Sequence, residues 1–301
     1  MKYKIQGNYL TFIIDENFQH KTIRDVFNYL HLSKKTIHLL KQSKDYSLNN
    51  EYVSETSLLN KNDNLKIKAF SQENIDFIPQ SYPLQIVFED DFILIVNKPI
   101  NTPIYPENKD GLNTLCNYVA NYYLESEQYL PIRHLHRLDQ DTTGLVMFCK
   151  CPLIQPLLDY MMANKLIKRS YIAICEGLIK QNLTINKVIA RDRHNNKMRI
   201  ASHGQKAITQ VKVLKNNQKE NYTVCKCTLK TGRKHQIRVH LSSLNHPLLS
   251  DNLYGHKSNL INRTALHAYE LEFIHPITNK KIVINTKLPD DMQFINPLPK
   301  K

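Results

Sequence analysis

The stretch RHLHRLDQDTTGLVMFCK, residues 133–150, places Asp139 between Arg133 and Arg137 on one side and the hydroxyls of Thr142 and Thr143 on the other. Guanidinium and hydroxyl neighbours would keep such a carboxylate ionised even where it is buried. An Arg–carboxylate contact near 4 Å carries about 4 kcal/mol of attraction at an effective dielectric of ~20, before desolvation is subtracted. An anion held in this way can act as a nucleophile that needs no general base, or it can brace a turn. On spacing alone the structural ion pair is the favoured reading.

Two further segments carry reactive side chains. In TLKTGRKHQIRVHLSSLNHPLLSDNLYG, residues 228–255, Ile237, Leu241 and Leu244 recur at helical spacing and Asn245 and Pro247 are stop signals, which predicts a helix over 234–244. Arg233 and Lys234 would then lie near its N-terminus, where backbone N–H groups favour an anion. Arg238 falls beside the apolar stripe rather than opposite it, so it is expected to be partly buried and to need a carboxylate partner. The segment KRSYIAICEGLI sets Tyr171 at the head of a strand in a basic setting, where a plain core or edge tyrosine is the simpler alternative.

The elements around these residues are those of a globular chain. With 301 residues, 42% hydrophobic and 23% charged, there is material for one large domain and a small one. The longest apolar runs, such as 92–96 and 145–149, reach only five residues, far short of the ~20 that span a bilayer. The first residues show no apolar core of signal-peptide length, and a cytoplasmic location without membrane association is expected. Six cysteines without a secretory signal read as reduced, packed thiols, and no metal site is expected. No glycine-rich nucleotide motif and no fixed-period repeat occurs, and no exposed coiled-coil stripe argues against a monomer.

The formal charge of +14 points to a polyanionic partner. Its placement sharpens this, because residues 181–240 hold fourteen Lys and Arg against Asp192 and Glu220 alone. These residues mix β-like runs with polar turns instead of forming a basic amphipathic helix, which suits a folded face that touches phosphates better than a membrane anchor. The bland alternative is a solvated lysine-rich surface.

Residues 1–72 read as a separate small α+β unit, with two short helices in TIRDVFNYLHLSKKTIHLLKQ followed by strands closing on LKIKAF. Ile23, Val26, Phe27 and Leu30 give the first helix its apolar face, and Ile37 and Leu40 follow the Ser33 cap signal in the second. Lys34, Lys35, His38, Lys41 and Lys44 fall on the other face. A polar, proline-bearing linker is expected at 73–83 and a strand-rich α+β unit with a mixed, largely antiparallel sheet at 84–299.

Taken together, HRLDQDTTG, RSYIAICEG and TGRKHQIRVH followed by HPLLSDNLYG resemble the RluA-type pseudouridine synthases in order and spacing, with DFILIVNKP upstream and RTALHAYELEFIHPIT downstream. The helix pair and closing strand of residues 1–72 resemble the S4-like RNA-binding domain. The resemblance implies a pseudouridine synthase fold, and an isomerase that converts uridine to pseudouridine in structured RNA without cofactor or metal. It implies that Asp139 is the catalytic aspartate, Tyr171 the active-site aromatic and Arg238 the arginine that pairs with the aspartate. Arg137, His136, Thr142, Arg233, Lys234 and His235, with Lys34, Lys35 and Lys41 of the small unit, are the expected RNA contacts. Because the reacting bond is hidden in a stacked helix, the nucleotide must be flipped out. The appended small unit favours large-subunit (23S) ribosomal RNA over transfer RNA; a non-catalytic ribosome-assembly factor and a nucleoside hydrolase are the competing readings. Departures from the family pattern are Thr143 for a common Ser, a missing glycine in NKPINTPIYP, and Asn245 and Ser250 for glycines, which put local loop shapes and RNA specificity in question.

Overall fold

The computed structural model describes residues 1–70, 75–108, 110–192, 195 and 197–295. Residues 73 and 74 of the expected linker, Arg193 of the basic segment and residues 296–299 of the expected catalytic unit lie outside them.

The chain opens with β1 (Lys2–Gln6) and β2 (Tyr9–Ile13), followed by α1 (Ile23–Tyr29), α2 (Lys34–Gln42), β3 (Tyr46–Leu48) and β4 (Asn64–Lys68). Both expected helices form, and the second starts on its Ser33 cap signal. Thr22 caps α1 in a reciprocal box with Asp25, and Ser33 accepts from the Thr36 N–H at the start of α2. The four strands make one antiparallel sheet in the order β1-β2-β4-β3. The β1–β2 hairpin is not foreseen from sequence, because its outer strand β1 is almost wholly exposed and carries no buried face to read.

The second sheet is built from β5 (Gln85–Glu89), β6 (Ile93–Lys98), β7 (Arg133–His134), β8 (Thr143–Cys149), β9 (Lys168–Glu176), β10 (Leu183–Arg191), β11 (Met198–Ile200), β12 (Gln205–Asn217), β13 (Tyr222–Leu229), β14 (Leu266–Ile274) and β15 (Lys281–Asn285). Its main path runs β11-β10-β12-β13-β9-β14-β8-β6-β5, with β15 on β14 and β7 on β8. Among the described residues only the β8–β14 pair is parallel, so the sheet is mixed and largely antiparallel, as expected. It is joined by the helices α3 (Leu115–Glu125), α4 (Gln155–Ala163) and α5 (Gln236–Ser242).

The centre of this sheet is covered on both faces. In β6, Ile93 and Ile95 enter one apolar cluster with Phe92, Met147 and Phe273, while Leu94 and Val96 enter the other with Val119, Phe148, Tyr171 and Ile237. Each such side chain contributes roughly 1.5–3 kcal/mol by leaving water. The first cluster continues into the small unit through Leu10, Phe27 and Ile67. The seam is closed by Tyr29 donating to the Pro276 carbonyl at 2.6 Å and by the His31 ring stacked on Tyr160 at 3.8 Å. The described part of the expected linker also lies against the large unit. Asp76 pairs with Arg133, and Tyr82 stacks on Tyr118 of α3 at 4.2 Å. All six cysteines are buried free thiols.

Candidate active site

Asp139 sits in the turn between β7 and β8, and the residues after it are anchored to two other strands, β14 and β6. The Thr142 N–H donates to the Asp139 carbonyl at 3.0 Å, closing the turn. Thr143 pairs its hydroxyl with His267 Nδ1 of β14 at 2.8 Å. Gly144 then has φ +114, and a Cβ there would lie 2.3 Å from the Ala268 carbonyl oxygen. The Thr-Thr-Gly sequence is therefore what lets β8 run parallel and close to β14. From the other side Lys98, at the end of β6, donates its ammonium to the carbonyls of Pro99, Thr102 and Gln140 at 2.9, 2.7 and 3.1 Å. Burial pushes Lys98 down to about 7, while the charges of Asp141 and Asp139 pull the other way.

Across the turn stands Arg238 of α5, 3% exposed. Its Nε and Nη2 form a fork on Asp251, both bonds at 2.7 Å, and Asp251 is 0% exposed. The remaining Nη1 donates to Asp139 at 3.3 Å and to Asp141 at 3.5 Å. Burial works against the Arg238 charge, but the hydrogen bonds and charge of Asp251, followed by Asp141 and Asp139, overcome it and hold its pKa above the ordinary value. Arg238 is thus a fixed cation whose remaining edge is shared by Asp139 and Asp141.

Asp139, Arg238 and Tyr171 line one cavity of about 160 Å³, together with Arg137, Thr142, Arg233, Lys234 and His235. Drug-sized ligands occupy cavities of ~300–1,000 Å³, so this one suits a single flat ring. Tyr171 is buried, and burial together with the Asp139 charge outweighs Arg169 and pushes its hydroxyl above the usual tyrosine value, so the phenol is neutral. A carboxylate with a pinned counter-charge, beside a neutral aromatic and a basic rim, can attack or deprotonate a sugar carbon while the base rests against the ring.

Comparison with known proteins agrees with this geometry. A family profile described as RNA pseudouridylate synthase matches residues 92–243, and one described as RluD ribosomal pseudouridine synthase N-terminal domain matches residues 10–65. The chain is 40% identical over 266 residues to an uncharacterised RNA pseudouridine synthase, YhcT, of Bacillus subtilis, covering 88% of each protein. It is 36% identical over 239 residues to ribosomal large subunit pseudouridine synthase D of Neisseria meningitidis, covering 75% of this chain and 63% of that one. Among solved structures, human RNA pseudouridylate synthase domain containing 1 superposes with a TM-score of 0.54 at 26% identity, over 70% of this chain and 86% of that one. The chain belongs to the RNA pseudouridylate synthase family. It is an isomerase that acts on RNA.

Several expectations need correcting in this synthase. Arg133 and Arg137 do not pair with Asp139. Arg133 is held by Asp76, and Arg137 donates to the Tyr105 hydroxyl at 2.6 Å with its guanidinium over the same ring. Neither threonine hydroxyl serves the carboxylate, and the buried Thr142 hydroxyl has no hydrogen-bond partner. The helix begins at Gln236, not at residue 234, because His235 takes a left-handed φ of 53. Gln236 instead ties the TGRKHQ loop to β12, donating to Ile208 and Thr209 and accepting from Thr231. His136 is buried beneath the turn, accepting from the Met147 N–H at 3.3 Å, and does not line the cavity. Lys34 and Lys35 are exposed on α2, whereas Lys41 is paired with Glu55 at 2.7 Å.

Sequence reasoning misses Asp251 and Asp141. The signal for Asp251 lies in the SDNLYG segment, and the signal for Asp141 is its place two residues after Asp139. The glycine replacements leave positive φ in place: Asn101 (56), Asn245 (61) and Ser250 (52) all hold left-handed backbone. Asn tolerates this conformation locally. At Ser250 the hydroxyl offsets part of the strain by donating to the Ile261 carbonyl and accepting from the Ser258 N–H.

Proposed function

We propose that this synthase isomerises a uridine of large-subunit (23S) ribosomal RNA, with Asp139 as the reacting carboxylate, Arg238 as its counter-charge and Tyr171 as the stacking partner of the flipped base. The observation that carries the reading is the remaining edge of a buried, Asp251-pinned Arg238, directed at Asp139 on the wall of a ring-sized cavity.

The reaction breaks the N1–C1′ bond, turns the uracil and joins C5 to C1′, with no change of oxidation state, so a carboxylate, a counter-charge and a stacking surface suffice and no cofactor is called for. The flipped nucleotide costs a few kcal/mol of stacking and pairing, which phosphate contacts by Arg233, Lys234 and the basic strands β10 and β12 would offset. Arg137, parked on Tyr105 at the cavity rim, is placed to enter the space the base leaves. The C5 proton would pass to the Tyr171 hydroxyl as that hydroxyl gives its own proton to the Asp139 carboxylate in the same cavity, so the phenol, which burial keeps neutral, does not ionise.

The choice of ribosomal RNA is supported by the match of residues 10–65 to the RluD N-terminal domain and by relatives named as large-subunit synthases. We assign residues 1–72 to an RNA-binding unit presenting Lys34 and Lys35, residues 84–299 to the catalytic unit, and the action of a monomer to the cytoplasm, where ribosomal RNA is made. Among the described residues no helix is long and apolar enough to cross a membrane. Carbodiimide mapping of pseudouridine in RNA from cells with and without this protein tests the target. Loss of a large-subunit site is the expected result; loss confined to transfer RNA would overturn the choice of substrate.

A further inference from the structure

His235 stands in the cavity wall in a conformation that a non-glycine residue adopts at a cost. Its surroundings fix both the ring and the position of its proton. The loop that carries it is fastened by Gln236, so the left-handed backbone is imposed from outside the residue. On one side, His235 Nδ1 lies 2.8 Å from the Tyr254 hydroxyl. That hydroxyl already accepts from the Met198 N–H at 2.8 Å, so its own proton is available for Nδ1. With Nδ1 accepting, a neutral imidazole must carry its hydrogen on Nε2. On the other side, Nε2 faces Asp139 Oδ1 at 3.7 Å, while Arg238 approaches Oδ2 at 3.3 Å.

We propose that His235 is a positioning residue for Asp139: a Tyr254–His235 relay points an N–H at one carboxylate oxygen from 3.7 Å while Arg238 holds the other, so that the carboxylate plane is fixed when the site tightens around the RNA. The groups that face the imidazole are Asp139 and Asp141 from the catalytic turn, Lys234 and Arg238 from its own segment, and Tyr254. Burial lowers the His235 pKa, with Arg238 and Lys234 adding to that effect against Asp139 and Asp141, so the ring is neutral when the enzyme works near pH 7. A neutral donor orients Asp139 without handing it a proton, which an imidazolium, unlike the guanidinium of Arg238, could do. Tyr254 belongs to the same device through a second contact, since the Arg238 guanidinium lies over its ring at 5.4 Å.

The inference rests on Asp139 being the reacting carboxylate, and the test separates the two. His235→Gln places an amide N–H where Nε2 stands. His235→Asn cannot reach Asp139, but it suits the left-handed backbone and can still accept from Tyr254. Turnover and KM are measured on the same RNA for both variants, for Tyr254→Phe and for Asp139→Asn, with thermal unfolding as a control. The expected result is that His235→Asn folds normally and loses roughly tenfold to hundredfold in kcat, as loss of an outer hydrogen bond does at other sites, with KM little changed. His235→Gln should stay within a few-fold of wild type, and Tyr254→Phe should cost less in the His235→Gln background than alone. If His235→Asn outperforms His235→Gln, the residue serves the loop backbone and the inference fails. If both variants raise KM at unchanged kcat, His235 is an RNA contact and the inference likewise fails. Full activity of Asp139→Asn would instead overturn the reading of Asp139 itself.

Discussion

Replacing Asp251 by Asn removes the anion that holds Arg238 while keeping its shape. No other contact at this position needs the charge, since the remaining bonds of Asp251 are accepted from the N–H groups of Leu253 and Tyr254 at 3.0 and 3.2 Å, which an amide oxygen can also take. What is lost is the two-pronged pair at 2.7 Å between side chains that are 3% and 0% exposed. Breaking a buried pair by removing one partner costs ~3–5 kcal/mol, because the survivor stays charged in a dry site, whereas replacing both partners by uncharged groups is often close to neutral. Asp251→Asn is therefore expected to lower unfolding stability by about 3–5 kcal/mol, and Arg238→Met with Asp251→Asn to recover at least half of that. Guanidinium unfolding at unchanged m-value reads the difference. Activity should follow a different course. Arg238 is also the cation nearest Asp139, so the double variant should regain stability and remain inactive. A loss below about 1 kcal/mol in Asp251→Asn, or a double variant no more stable than the single one, would refute the description of Arg238 as a cation pinned in a dry site.

Two other outcomes follow from the same geometry. Burial and Arg263 push His267 down to about 4, so between that value and the ordinary 6.5 the unfolded chain binds the extra proton, and stability should fall as pH drops through this window. At about 1.4 kcal/mol per unit the loss is on the order of 3 kcal/mol; His267→Asn, which keeps a partner for Thr143, should flatten a plot of melting temperature against pH, and an unchanged plot would assign the acid sensitivity elsewhere. Tyr171→Phe retains the ring and should bind RNA like the wild type while losing ~10²–10⁴-fold in turnover, the usual worth of a positioned proton carrier. Wild-type turnover in Tyr171→Phe, measured at saturating RNA, would confine the residue to stacking.

Much of this is legible in the sequence, for reasons that differ by element. The helices α1 and α2 carry strong local signals, namely apolar spacing and, at Ser33, a cap, and they form where expected. Asp139, Tyr171 and Arg238 stand out by their types and motifs, and the fold brings them into one cavity. What local sequence could not give is the pairing. Arg133 and Arg137 are the natural partners for Asp139 by proximity in the chain, yet β7 directs Arg133 to Asp76, and Tyr105 takes Arg137. The true counter-charge lies 99 residues away, and its own anchor Asp251 lies in a loop beyond α5. The start of α5 is misplaced for a related reason. Apolar spacing begins only at Ile237 and leaves the start of the helix unmarked, and tertiary bonds from Gln236 to β12 hold His235 out of helical geometry. Strand β1 escapes notice because an exposed edge strand has no burial pattern to betray it.

The central claim is that Asp139 converts uridine to pseudouridine in RNA. Joining C5 to C1′ expels the hydrogen on C5, so release of tritium from large-subunit ribosomal RNA labelled at uracil C5 counts the events directly. The wild-type protein is expected to release tritium to a stoichiometric plateau. Asp139→Asn is expected to bind the same RNA and release none above background. Release by Asp139→Asn at a rate within about tenfold of wild type, when loss of a group that acts in the transition state costs at least ~10²-fold, would contradict the account.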